Sequence, residues 1–238
     1  MSTIAPDRLA ALPFFEGAEP GLLARFERQA AWRSYGPGDV VVDFDDPSTE
    51  VHLIASGAVR VLVRSPAGRE LILNDLVAGD LIGELAAIDG APRSANVTAL
   101  VRSRLCALPA AAFLEILCAS PPVCLRLLRR LAAKLRLQTA RALERETLSV
   151  RLRLCAELLR LSRGRAAGQG EGERVVSPPP PQHEIAARIG ARREAVSREM
   201  AELERQGLLA RTAGAILIPR PAALRALVEA GLRDDPEA

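Results

Sequence analysis

The run Leu81-Ile82-Gly83-Glu84-Leu85-Ala86-Ala87-Ile88-Asp89-Gly90-Ala91-Pro92-Arg93-Ser94-Ala95 brings together residue types that can do chemistry. Gly83 lets backbone approach a ligand closely. A short helix is expected to open after it, with free N–H groups able to face an anion. Glu84 can accept from a sugar hydroxyl. Arg93, ten positions after Gly83, offers a donor fork suited to two oxygens of one phosphate, with the Ser94 hydroxyl beside it. Taken singly, Glu84 and Arg93 read better as an ordinary surface ion pair. A second group, Arg192, Arg193, Glu194, Ser197 and Arg198, stands near the C-terminus. Arginine can meet O6 and N7 of guanine with two bonds, and glutamate can accept from cytosine N4. The alternative is an i,i+4 pair between Glu194 and Arg198 on a solvated face.

Other chemistry finds little support. There is no nucleophile elbow, no Walker loop and no pair of histidines, so no catalytic residue is assigned and an enzyme is not expected. Cys106, Cys118, Cys124 and Cys155 form no C-x-x-C pair and stand far from His52 and His183. Neither a zinc site nor a disulfide framework is suggested, and buried thiols in a reducing compartment are expected. Net charge is +3, with 15 residues of each sign in 1–140 and 17 basic against 14 acidic in 141–238. That C-terminal excess permits nucleic-acid binding without arguing for it. Lys134 is the only lysine, so nearly all positive charge is guanidinium.

Those residues need a framework of adequate size. The 238 residues are comfortable for two domains, and 49% hydrophobic with 26% charged residues describes a globular chain. No uncharged apolar stretch reaches membrane-spanning length, and the N-terminus lacks a basic flank followed by an apolar core. No membrane partner and a cytoplasmic location are expected.

Residues 7–30 read as one or two short helices. From Trp32 to about Leu108 come short β-type runs: 40–42, 51–54, 59–63, 71–73, 81–82, 96–100 and 105–108. Turn signals such as Gly36-Pro37-Gly38-Asp39 and Ala78-Gly79-Asp80 separate them, which suggests a sandwich or barrel. After Pro122 the chain contains neither proline nor glycine up to Glu146, and Leu128, Leu131, Leu135, Gln138, Ala142 and Arg145 step by three and four. A seam of that period in so long a helix predicts a partner helix from a second copy, over 124–146; the alternative is packing on the chain's own β domain. A helix over 149–163, a loop over 164–172 and a strand at 175–177 follow. Helices over 182–189 and 193–206 are joined by Gly190-Ala191-Arg192, and a hairpin pairs Leu208-Leu209 with 215–218. Helix, tight turn, helix and β wing make a winged helix-turn-helix.

The fold class is therefore α+β: a jelly-roll-like β roll over 1–120, a long dimerisation helix over 121–148 and a winged helix-turn-helix over 149–238. The Gly83–Ala95 string resembles the phosphate-binding cassette of cyclic-nucleotide-binding domains, where G-E-L (Gly83, Glu84, Leu85) is followed by R-[STA]-A. Gly38-Asp39 and Ile54-x-x-Gly57-x-Val59-Arg60-Val61 fit the β roll of that domain. Arg193-Glu194-Ala195-Val196-Ser197-Arg198 resembles the R-E-x-x-x-R recognition helix of the Crp/Fnr transcription regulators. The resemblance covers roughly residues 8–230.

The resemblance implies that Gly83 and Glu84 hold the ribose 2′-hydroxyl and that Arg93 and Ser94 hold a cyclic phosphate. It places the base contacts at Gln138 and Thr139, the second reaching the partner subunit's nucleotide. Ser94 points to cyclic AMP, while Gln138, an amide able to pair with either purine edge, leaves cyclic GMP open. Iron–sulfur and haem sensors of the family need an N-terminal cysteine cluster or a ligand in the β domain. The first cysteine is Cys106, and only His52 and Cys106 lie in that domain, so neither cofactor is expected. The implied partners are a second copy of the chain, double-stranded DNA with a TGTGA-like palindrome, and RNA polymerase. Arg192 would meet a phosphate. His183, just inside the first helix of the helix-turn-helix, would serve as a DNA-backbone or cap residue. Two other readings are a nucleotide-binding module acting on another protein, and a regulator that binds DNA without a ligand.

Overall fold

A computed structural model describes residues 7–164 and 172–233. Contacts divide the chain into two compact units, 1–134 and 135–238.

In the first unit, α1 (Pro20–Phe26) is a short helix within the expected 7–30, flanked by 3-10 turns at Leu9–Ala11, Pro13–Phe15 and Glu27–Gln29. Two antiparallel four-stranded sheets follow. One has the order β1 (Ala31–Tyr35), β8 (Ser103–Leu108), β3 (Val51–Ser56), β6 (Leu81–Ile82). The other runs β2 (Val40–Val42), β7 (Asn96–Ala99), β4 (Ala58–Arg64), β5 (Glu70–Val77). Alternation along β3 and β8 explains the architecture. Ile54 and Leu105 meet Val42, Val59 and Val97 of the second sheet. Leu53, Cys106 and Leu108 turn the other way, onto Phe14, Phe15, Phe26, Phe113 and Ile116. A strand buried on both faces reads as a continuous apolar run, as 105–108 does. The strand β1 was missing from the expected set because Trp32-Arg33-Ser34 has no β-branched run; pairing with β8, not local propensity, makes it a strand. Similarly, β5 continues past Leu73 through Asn74 and Asp75, paired with β4.

Between the sheets and the long helix stands α3 (Ala110–Ala119), also unanticipated, which buries Phe113, Ile116 and Leu117. The long helix α4 spans Pro121–Thr147. Val123 and Leu127 are buried and Leu131 is partly buried against the core of the first unit. Leu125, Leu128, Leu135 and Leu143 are the exposed leucines of α4 among the described residues. Among the described residues no single helix is long and apolar enough to cross a membrane.

The second unit holds α5 (Val150–Leu161), β9 (Arg163–Gly164), β10 (Arg174–Val176), α6 (Gln182–Ile189), α7 (Arg193–Arg205), β11 (Ala210–Thr212), β12 (Ala215–Ile218) and α8 (Pro221–Arg233). Residues 165–171 of the expected loop lie outside the described residues. Ser149 caps α5 by accepting from the Leu152 N–H. The wing differs from expectation: β12 pairs with Ala210–Thr212, while Leu208 and Leu209 are buried under α7 and α5 in the core of the unit. Two consecutive leucines have more to gain from that core than from an exposed wing. The unanticipated α8 packs on α5, and a Cβ at Gly231 would stand 2.3 Å from Leu152 Cδ1, so this helix needs glycine for close approach.

Candidate functional site

Strand β6 ends at Gly83, whose φ of 85° begins α2 (Glu84–Asp89) from a left-handed N-cap. With 6 residues α2 carries little dipole, so the positive field of the site comes from Arg93 and not from the helix terminus. Arg93 is 3% exposed, and each of its three guanidinium nitrogens donates one hydrogen bond to the protein. Nε donates to Ser48 Oγ at 3.1 Å, Nη1 to the Gly83 carbonyl at 3.3 Å and Nη2 to the Glu50 carbonyl at 2.7 Å. Its backbone is sewn to the same loop: the Arg93 N–H donates to the Asp46 carbonyl, and the Asp45 N–H donates to the Arg93 carbonyl. All three side-chain acceptors are neutral.

A buried cation whose hydrogen bonds all go to neutral acceptors is only partly compensated. Burial lowers the pKa of Arg93, opposed by the charges of Asp46, Glu50 and Glu84. Asp46 is held below the usual carboxylate range by hydrogen bonds from the Ser48 hydroxyl and amide, with the Arg93 charge adding to them. Burial, then the charges of Arg93 and Arg33, lower His52 to about 4, so it is neutral at pH 7. Burial pushes the Cys106 thiol up to about 12. Among the described residues no cluster of three or more His, Cys, Asp and Glu could hold a metal ion.

Glu84, 5% exposed, accepts from Lys134 Nζ at 2.9 Å. Its ion pair is thus with α4 and not with Arg93, which removes the simple Glu84–Arg93 surface pair. Leu85 and Ser94 are exposed beside them. Gly83, Glu84, Leu85, Arg93 and Ser94 are therefore gathered in the first unit. Gln138 and Thr139 lie on α4 in the second unit, the first half-buried and the second exposed, with the Thr139 hydroxyl donating to the Leu135 carbonyl. Sequence reasoning missed Ser48, the Glu50 carbonyl and Lys134. Only Lys134 carried a signal, as the one lysine of an arginine-rich chain.

Gly83 has no substitute. A Cβ there would stand 2.1 Å from Arg93 Nη1 and 2.7 Å from the Glu50 carbonyl oxygen. In Gly83→Ala the left-handed backbone alone costs about 1–2 kcal/mol, and the guanidinium must leave its seat. Thermal melting should show a lowered Tm, and calorimetry should show at least about a tenfold loss of affinity for an anionic ligand bound through Arg93.

In the second unit, Gly190 (φ 66°) ends α6, and Arg192 is the N-cap of α7. Val196, Met200 and Leu203 bury one face of α7. Arg192, Arg193, Glu194, Ser197 and Arg198 are exposed on the other. Among the described residues no hydrogen bond or ion pair joins Glu194 to Arg198. Helix, tight turn and a helix with free polar ends form a module able to enter a DNA groove. His183 is exposed in the first turn of α6.

Residues 32–119 match the cyclic nucleotide-binding domain family, and residues 152–227 match the Crp-like helix-turn-helix domain family. Together they define a transcription regulator with a nucleotide-binding and a DNA-binding domain. The chain is 32% identical over 227 residues to the cyclic AMP receptor protein of Thermus thermophilus, covering 92% of this chain and 98% of that protein. It is 29% identical over 210 residues to the CRP-like cAMP-activated global transcriptional regulator of Mycobacterium tuberculosis, covering 88% and 93%. A mutant of CooA from Carboxydothermus hydrogenoformans shares the fold with a TM-score of 0.76 at 20% identity, over 96% of this chain and 97% of that one. The chain belongs to the Crp/Fnr family of transcription regulators.

Proposed function

We propose that this chain is a homodimeric, cytoplasmic, cyclic-AMP-responsive regulator that binds a TGTGA-like palindrome and acts on RNA polymerase, without catalytic activity of its own. The observation that carries the effector reading is Arg93, a buried guanidinium with only neutral partners. A cyclic phosphodiester is a monoanion whose two free oxygens suit that fork, and its arrival would supply the missing countercharge. Glu84 would accept the ribose 2′-hydroxyl, Ser94 would donate to the phosphate, and Gln138 and Thr139 would meet the base. The relatives from Thermus thermophilus and Mycobacterium tuberculosis, both described by their response to cyclic AMP, support the choice of adenine. The domain limits 1–120, 121–148 and 149–238 belong to the same reading. Effector contacts on the β roll and on α4 would bias the population of the DNA-competent form.

Calorimetry with cyclic AMP and cyclic GMP side by side tests the proposal. Heat with cyclic AMP is expected; tighter cyclic GMP would change only the base, and no heat with either would remove the effector. Equal DNA affinity with and without nucleotide would leave a ligand-independent regulator. No DNA binding at any sequence would leave a module acting on another protein.

The exposed end of α7 predicts how DNA contacts separate. Arg193→Ala or Arg198→Ala should cost about 1–3 kcal/mol on the palindrome and relax discrimination against base changes. Arg192→Ala should weaken all sequences alike and flatten the dependence on salt. Anisotropy titrations at several salt concentrations distinguish the two patterns; identical behaviour of the three variants would remove the assignment of base contacts.

A further inference from the structure

Helix α4 ends at Thr147 and α5 begins at Val150, and an interruption of this kind is where two helices are free to flex. Five charged side chains bridge it. Glu157 of α5 is 1% exposed and accepts from Arg141 Nη2 of α4 at 3.2 and 3.3 Å, and from Arg160 Nε at 2.9 Å. The two Nη atoms of Arg160 then reach the two carboxylate oxygens of Glu144 on α4, at 2.6 and 2.8 Å. Arg188, in the last turn of α6, stands 3.8 Å from Glu157. Arg141, Glu144 and Arg188 are themselves buried. On the same side, a Cβ at Gly190 would lie 3.8 Å from Arg145 Nε, so α4 also abuts the turn of the helix-turn-helix.

Two carboxylates shared by three guanidiniums contribute little net stability, because each ion gives up its hydration to be there. They contribute direction instead. The forked Arg160–Glu144 pair fixes two planes relative to each other, and Glu157 joins three helices at one point. Any slip of α4 against α5 would separate buried charges.

We propose that the ions around Glu157 clamp the last turns of α4 to the helix-turn-helix across the break at Leu148 and Ser149, making Arg141 and Glu144 positioning residues for DNA recognition. Bending of α4 then has to occur N-terminal to Arg141, and a rotation of its last turns carries α7 with it. The effect on DNA rests on the reading of the chain as an effector-controlled regulator; the clamp itself does not.

The full-length double variant Arg141→Met with Glu144→Gln unhooks α4 while leaving Glu157 paired with Arg160 and near Arg188. In hydrogen exchange on the ligand-free chain, amides of 144–149 should exchange about tenfold faster or more, with α7 still protected. In anisotropy on the palindrome, the ratio of DNA affinities with and without cyclic AMP should fall at least about tenfold, the scale of a typical coupling between sites. Arg160→Lys keeps the charge but loses the fork, and should shift both readouts the same way by less. Unchanged protection at 144–149 in both variants overturns the clamp. So does loss of protection in α7, which would make the ions a support of the DNA-binding fold itself. A wild-type chain with no response to the nucleotide refutes the effector reading, and exchange then decides the clamp alone.

Discussion

Replacing Arg93 with alanine should lower the affinity for cyclic AMP by two or more orders of magnitude in calorimetry. The guanidinium is buried, and its hydrogen bonds go to one hydroxyl and two carbonyls, so nearby carboxylates balance its charge only in part until an anion arrives. Removing one member of a buried charge pair costs about 3–5 kcal/mol, and each 1.4 kcal/mol or so is a factor of ten. The effect on the free protein should be far smaller. Alanine leaves Ser48 and the Gly83 and Glu50 carbonyls short of a donor, but it also removes the cost of burying an unpaired cation, and the two offset. A nearly unchanged Tm with a lost isotherm is thus the expected pair of results. Arg93→Lys should fall between, because a single ammonium cannot serve two phosphate oxygens with parallel bonds. An unchanged isotherm for Arg93→Ala would end the assignment of the phosphate to this pocket.

The second large effect is expected at Leu135. This leucine is 69% exposed on α4, with Leu128 at 56% one heptad before it. Two exposed leucines seven apart on a helix whose neighbours Val123 and Leu127 are already buried are surplus to the chain's own core. They are what a two-stranded seam requires. Burying a leucine is worth about 1.5–3 kcal/mol, and a two-fold axis counts each one twice. Leu135→Glu would lose that contribution in both copies and set two carboxylates against each other in an apolar interface. Light scattering should report the 25.5 kDa chain where the wild type reports twice that mass. Binding to a two-fold symmetric DNA site should fall with it. A variant that stays dimeric would place the interface elsewhere on the molecule.

Much of the protein was legible in its amino-acid order alone. The cassette from Leu81 to Ser94 is strand, turn and short helix in one stretch, so residue types and spacing suffice to recognise it. The same holds for α6 and α7 with Gly190 between them, since capping and periodicity are local. What lay beyond reach was decided by contacts distant in sequence. Ser48 and Glu50 lie more than forty residues before the arginine they hold, and β1 is a strand only because β8 offers it a ladder. Leu131 satisfies the heptad as well as Leu128 does. Only packing shows that one joins the core of the first unit while the other stands in solvent. The α8 helix and the ions around Glu157 follow the same rule: Gly231 takes its meaning from packing on Leu152, and Arg141 from meeting Glu157. Periodicity and turn chemistry act within a few residues and leave a pattern in the chain. Charge pairing in a dry interior acts through space between segments whose order says nothing of their meeting, and that part the tertiary structure alone decides.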